Sequence, residues 1–266
     1  MQRQSAESSR PTISIWFMNK EKLFNVLSVV IALALWQIIS MAVGMNFLLP
    51  SPVEVLGRLT AVVTGDGFFG SVLFSLLRIL AGFGIALILG TVCGALAGKY
   101  RIAEIFFKPY VTTVKTVPIA SVIIIALVLF SPAIQTTLIS FLIAFPVIYG
   151  NVLQGIRNVD PKMKELCSLY KVRPSKQILN VYIPSVKPFL LSAVASAVGM
   201  AWKAGTAAEV IGLTDGSIGM RLYEAKIYFQ NADLFCWTLV IIFFSVVSEK
   251  LIMLALKGIF GGIEKL

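Results

Sequence analysis

Apolar runs long enough to cross a bilayer, separated by short polar stretches, dominate the chain. About 20 apolar residues make a membrane-spanning helix. Leu23 to Val53 carries no charged residue, and its first two thirds, roughly Phe24 to Val43, predict span one. In the following "NFLLPSPVEVLGRL" the prolines break the helix. Glu54 and Arg58, four apart, then decorate a short amphipathic helix. Ile79 to Gly98 is the second uncharged run and predicts span two. There Gly90, Gly94 and Gly98 strip one helical face of side chains, which favours close helix contact in lipid. Thr116 to Ile156 is uncharged over 41 residues, room for two helices, with "FSPA" at 130–133 supplying the turn. Spans three and four are therefore expected at about Phe107 to Phe130 and Ala133 to Leu153. Pro188 to about Ala208 predicts span five, with Lys203 inside it. Leu234 to Leu256 predicts span six, with Glu249 and Lys250 near its end. The expected fold is all-α and multi-pass, with six transmembrane helices.

An even number of spans puts both termini on one side. The N-terminal stretch, the 98–110 loop, the 150–188 loop and the C-terminal end together hold seventeen of the 23 Lys and Arg. The opposite side holds Arg58, Arg78, Lys203, Arg221 and Lys226, and Lys115 lies within a span. By the positive-inside rule the termini and the 150–188 loop are expected to be cytoplasmic. The net charge of +10 thus records topology and argues against a nucleic-acid partner. Residues 1–22 lack the apolar core and cleavage site of a signal peptide and read as a retained cytoplasmic tail. The expected division is a tail at 1–22, one transmembrane domain at 23–258 and a cytoplasmic end at 259–266.

Composition sharpens the class. Charged residues are 14% and hydrophobic ones 58% of the chain, against about 25% charged in a soluble domain. No polar block is long enough to build a large soluble domain. His is absent, which excludes imidazole metal sites and Ser-His or Cys-His catalysis. Cys93, Cys167 and Cys236 are odd in number and far apart, and read as small buried hydrophobes. A phosphate-cradling loop needs G-x-x-x-x-G-K-[ST]. The nearest string, "GALAGKY", has the wrong glycine spacing and no hydroxyl residue, so ATP chemistry is not expected on this chain.

One polar segment stands apart. "KELCSLYKVRPSKQILNVYIPS", residues 164–185, is too polar to span a bilayer and too amphipathic for a linker. Asp160-Pro161 is a helix start, an N-cap followed by Pro at the first helical position. A helix is expected from there to about Tyr170, with Met163, Leu166, Cys167 and Tyr170 forming one apolar stripe. Pro174 starts a second helix expected to end near Pro184, with Ile178, Val181 and Tyr182 on its apolar face. From pattern alone, such a stripe either docks on a partner or lies on the membrane surface, where basic residues meet anionic lipid.

The segment resembles the EAA loop of ATP-binding-cassette importer permeases: Glu-Ala-Ala, three residues, Gly, nine residues, then Ile-x-Leu-Pro. Glu165 and Pro184 match at the family's spacing, and Val181 and Ile183 stand where Ile and Leu are usual. Leu166 and Cys167 replace the alanines, and Lys171 replaces the glycine, where a positive φ is costly for a side chain. "LLPSPVEVL", "SLLRILAGF", "FPVIYGNVLQGIRNVDP", "GMAWKAGTAAEVIG" and "GSIGMRLYEA" follow the expected order. Over roughly residues 24–257 the chain resembles the nitrate/sulfonate/taurine/bicarbonate branch of these permeases. The resemblance implies a type I importer permease fold with a coupling loop at 157–186 that docks into a separate cytoplasmic ATPase. It implies Asp160, Lys162, Met163, Glu165, Leu166, Tyr170, Lys171, Arg173 and Pro184 as the coupling set. It also implies a second permease copy, an extracellular or periplasmic substrate-binding protein, and a prokaryotic cell membrane. No cofactor is expected on this chain; ATP and Mg belong to the ATPase.

Ionisable residues at membrane depth mark pathways by default. The pathway candidates are Arg78, Thr112, Lys115, Thr116, Lys203 and Glu209. Lys203 and Glu209 lie six residues apart, which places them on different faces of a helix. Snorkelling to the interface, or pairing with a neighbouring helix, is the alternative for each lysine. Two cations on a pathway suit a small anion such as a sulfonate, nitrate, taurine or bicarbonate. Members of this branch also resemble carriers of pyrimidine and riboflavin precursors. An ion-coupled secondary transporter is the rival from another class, and it would need coordinating acids at mid-membrane, usually with a repeat between halves.

Overall fold

The computed structural model describes residues 11–44 and 48–263, and every regular element among them is helical. α1 (Pro11–Val43) carries the first apolar window, Val26–Val43, with most of its side chains facing outward. α2 (Pro52–Thr64) starts at Ser51, whose Oγ accepts from the Glu54 N–H at 3.2 Å, with Pro52 in its first turn. Arg58 on α2 forms a forked pair with Asp233 at the start of α11 (Asn231–Ile263): Nε to Oδ1 at 2.5 Å and Nη2 to Oδ2 at 3.0 Å.

The centre is made of α3 (Phe68–Lys99), α6 (Pro132–Arg157) and α9 (Ile183–Ile211). Ile79, Phe83 and Ala86 meet Ala144, Ile148 and Val152, and these meet Val194, Val198 and Trp202. The glycine face expected on span two is where α3 crosses α6. A Cβ on Gly94 would stand 2.8 Å from the Tyr149 carbonyl oxygen, and one on Gly98 would stand 2.7 Å from the Ile156 Cβ. Both are closer than carbon tolerates, so the crossing needs the missing side chains.

Five stretches are long and apolar enough to cross a membrane: Val26–Val43, Phe68–Lys99, Ile134–Arg157, Pro174–Ile211 and Asn231–Gly262. The sixth expected span is a bent pair. α4 (Arg101–Thr116) and α5 (Ile119–Leu129) meet at 101° across Val117 and Pro118. A straight span over Phe107 to Phe130 is thus corrected to two half-helices. Pro118 has no N–H to continue the ladder and disfavours α geometry at Val117, which turns extended with φ −71° and ψ 131°.

Three further boundaries move. Span two begins at Phe68 rather than Ile79, because Phe68, Ser71, Val72 and Ser75 are buried and Arg78 does not break the helix. Span five begins well before Pro188. The second helix of the 157–186 segment, expected to stop near Pro184, runs through a widened π turn at Ile178–Tyr182 into α9. Pro184 returns no bond to the previous turn, and the wider turn absorbs that loss. Ser185 Oγ donates to the Val181 carbonyl at 2.7 Å. At the ends, residues 11–22 of the expected tail continue α1 as helix. Residues 1–10 and 264–266 lie outside the described residues.

Candidate functional site

The polar segment at 157–186 is built by local chemistry. Asp160 accepts from the Lys162 N–H at 2.9 Å and caps α7 (Pro161–Leu169), with Pro161 in its first turn. The helix ends at Lys171, which adopts φ +49°. The Val172 N–H reaches back to the Cys167 carbonyl at 2.9 Å, and the Lys171 N–H to the Ser168 carbonyl at 3.2 Å. This is the left-handed Schellman end that glycine usually makes. Lys171 therefore keeps the turn that the family's glycine would give, at the cost of a strained backbone. Lys171→Gly is expected to stabilise the turn by about 1 kcal/mol, read as slower amide exchange over residues 168–173.

Gln177 Nε2 then donates to the Val172 carbonyl at 2.8 Å, closing the loop onto α8 (Pro174–Gln177). Along α7, Met163 is 43%, Leu166 47% and Tyr170 74% exposed, and Glu165 faces outward beside them. The stripe is uncovered by the described residues. Val181, placed on the second apolar face, is instead buried within the chain. Lys162 and Arg173 stand exposed at the starts of α7 and α8, whereas Pro184 belongs to the first turn of α9.

The pathway candidates separate into three places. Thr112 and Lys115 line an open cleft of about 610 Å³ between α4 and α6, with Lys108, Asn151 and Gln154. Lys108 and Lys115 are seven residues apart and so share a helical face. Lys115 also borders an adjoining, more apolar cleft of about 490 Å³, which reaches Met200 on α9. Thr116 closes the end of α4 instead, its Oγ1 donating to the Thr112 carbonyl at 3.1 Å. The bend beside Lys115 leaves a broken helix at an open cleft, the kind of irregular backbone tolerated where it lines a cavity.

Lys203 is exposed and follows Ser192, Ser196 and Met200 along one outward stripe of α9. Arg78 is half-buried, with its guanidinium carbon 3.2 Å from the centroid of the Phe74 ring.

Glu209 lies elsewhere. It is fully buried and lines neither cleft, because α9 turns the face of Ala201, Gly205 and Glu209 inward. Its Oε2 accepts from Ser75 Oγ at 2.8 Å and from the Gly219 N–H at 3.1 Å. Ser75 Oγ in turn accepts from the Ile218 N–H at 2.9 Å, and Ser217 Oγ from the Met220 N–H at 3.0 Å. The three leading N–H groups of α10 (Ile218–Ile227) are thereby satisfied, and a carboxyl oxygen sits at the positive end of that helix. A Cβ on Gly219 would collide with Glu209, so glycine is what lets α10 approach. Sequence reasoning missed Ser75 and α10; Ser217 ahead of Ile218 was the available N-cap signal.

The sequence profile of the family described as binding-protein-dependent transport system inner membrane component matches residues 86–260. The chain belongs to this family. The permease is 28% identical over 221 residues to a putative aliphatic sulfonates transport permease protein of Bacillus subtilis, covering 82% of this chain and 79% of that one. It is 30% identical over 215 residues to a probable ABC transporter permease protein of Brucella melitensis, covering 79% and 85%. It is 29% identical over 226 residues to a nitrate import permease protein of Synechococcus elongatus, covering 80% of each. The chain is thus a multi-pass, non-catalytic transmembrane subunit of the bacterial inner membrane. A binding-protein-dependent system of this kind also comprises an ATPase and a substrate-binding protein.

Proposed function

We propose that this permease forms half of a pathway for a small anion, of the sulfonate, nitrate, taurine or bicarbonate kind. A second copy faces the open α4–α6–α9 side. The supporting observation is the cleft at the broken span, where Lys108 and Lys115 stand with Thr112, Asn151 and Gln154, while the acid in its lining, Glu104, is paired with Arg157. Lys203 continues the cationic side on α9. Relatives whose names specify sulfonate and nitrate transport agree with this chemistry.

In this reading α7 lies on the cytoplasmic side, as do both termini. The ATPase takes the stripe of Met163, Leu166 and Tyr170 into a groove, with Glu165 beside it and Lys162 and Arg173 meeting its acids. ATP-driven closure pulls α7 toward its counterpart, and the helices rock from inward-facing to outward-facing. The binding protein then delivers its ligand, and hydrolysis resets the cycle. ATP shifts the two-state equilibrium only by its differential binding to the closed form.

Lys115→Ala is expected to lower import by about tenfold, the worth of one charge-assisted bond of ~1.4 kcal/mol. Lys115→Arg keeps most of the rate. The assay is uptake into proteoliposomes holding permease, ATPase and binding protein, with a sulfonate and nitrate as competitors. Competition by an uncharged pyrimidine precursor alone removes the anion assignment. Uptake that persists without ATPase and collapses with an ion gradient removes the ATP-driven reading.

A further inference from the structure

Two clefts of opposite chemistry meet at one residue. Lys115, Pro146 and Val147 line both the cleft of about 610 Å³ and its neighbour of about 490 Å³. A Cβ on Gly150, which lines the first cleft, would stand 3.7 Å from Lys115 Nζ, so the ammonium belongs to that side. Lys108 lies there too, and the acid of that lining, Glu104, is held by Arg157. The second cleft is walled by Val122 on α5, Leu142 and Ile143 on α6, and Met200 on α9. Among the described residues its lining has no acid. Its one hydroxyl, on Thr113, donates to the Pro109 carbonyl at 2.9 Å.

We infer that the two clefts together hold an organic anion with a short apolar tail. The negative head sits at Lys108 and Lys115, and the tail runs past Pro146 and Val147 toward Met200. This rests on the anion reading above and narrows it from small anions in general to tailed ones. Val147 and Met200 become the residues that set tail preference. The first cleft is open and polar, which suits a head arriving from water. A compact oxyanion such as nitrate or bicarbonate uses the head site and gains nothing from the apolar wall. A saturated chain gains the burial of apolar surface. Taurine fits less well, because its chain ends in an ammonium that would lose water where no acid meets it. Discrimination of this kind, by methylenes in an apolar pocket, is real but modest.

The test is equilibrium binding to the purified permease in phosphatidylcholine nanodiscs, with methanesulfonate, butanesulfonate, taurine and nitrate as probes. A fully buried methylene is worth about fourfold in affinity (~0.8 kcal/mol). Half-covered in an open cleft it gives about twofold, so butanesulfonate, with three more methylenes, is expected to bind about eightfold tighter than methanesulfonate. Taurine and nitrate are expected to bind no tighter than methanesulfonate. Met200→Gln narrows the sulfonate ratio to about threefold, with Val147→Thr as a second variant should the first lower the melting temperature. Lys115→Ala weakens both sulfonates by about tenfold and keeps their ratio. Equal affinity for the two sulfonates, with Lys115→Ala still weakening both, overturns the tail site and leaves the anion reading standing. A ratio that survives both Met200→Gln and Val147→Thr also overturns it. Loss of butanesulfonate when phosphatidylglycerol enters the nanodisc assigns the clefts to lipid and overturns it as well. Binding of none of the anions, or of butanol in their place, removes the anion reading and the tail site together.

Discussion

Glu165→Lys is expected to cut ATP-driven import by about a hundredfold while the permease still inserts and stays monodisperse. The side chain faces outward on α7 and makes no ion pair among the described residues, so the fold has no stake in it. Its only loss lies at the proposed ATPase contact. Reversing a charge inside a docked interface costs ~3 kcal/mol, which is about a hundredfold. ATP turnover by the assembled transporter continues, because the catalytic groups belong to the other subunit. The measurement pairs phosphate release with uptake in the same vesicles. Uptake that remains in step with hydrolysis sinks the docking assignment. Leu166→Glu, on the same stripe, is the companion variant and is expected to act in the same direction.

Glu209→Ala carries the second large effect, and it falls on stability. Truncation leaves the Ser75 hydroxyl and the Gly219 N–H without their acceptor in a fully buried site. Each orphaned group costs ~1–3 kcal/mol, so the loss is expected at about 3–4 kcal/mol. For a chain of this size that lowers the melting temperature by roughly 10 °C. Glu209→Gln keeps an oxygen acceptor in the same place and is expected to lose only about 1 kcal/mol. Thermal unfolding in detergent, followed by light scattering and tryptophan fluorescence, separates the two. Equal losses for Ala and Gln would show that packing volume, and not the acceptor, holds α10. Gly219→Ala approaches the same knot from the other side and forces α10 off Glu209.

The stability of this knot bears on gating. α10 joins spans five and six, and it is held at its N-terminus by residues of α3 and α9 together. A helix fixed to two central spans moves with them. Rocking of the bundle in the proposed cycle therefore carries α10 as a rigid extension of the core.

Legibility in the sequence follows the range of the interaction. The start of α7 was readable because Asp160 and Pro161 act within three residues of themselves. The glycine face of α3 was readable because Gly90, Gly94 and Gly98 repeat at the helical period. The left-handed turn at Lys171 was marked by the position where the related loop carries glycine, and the backbone there keeps that geometry despite the side chain. Span three shows the converse. Pro118 was in plain view, yet an uncharged run of 41 residues reads equally well as straight helix or as two half-helices. Hydropathy integrates over about a span length and does not register a bend.

By itself, then, the sequence determined the membrane class, the approximate spans and the exposed helix α7. Bilayer transfer energy and helix capping act on neighbouring residues and need no knowledge of the fold. Only the tertiary structure decided which polar groups are sealed and which face open space. Glu209 and Lys203 share one helix, yet one is locked to Ser75 and Gly219 while the other stands outside. Where α3, α9 and α10 cross sets that difference. Such crossings depend on side chains more than a hundred residues apart, which no local pattern records.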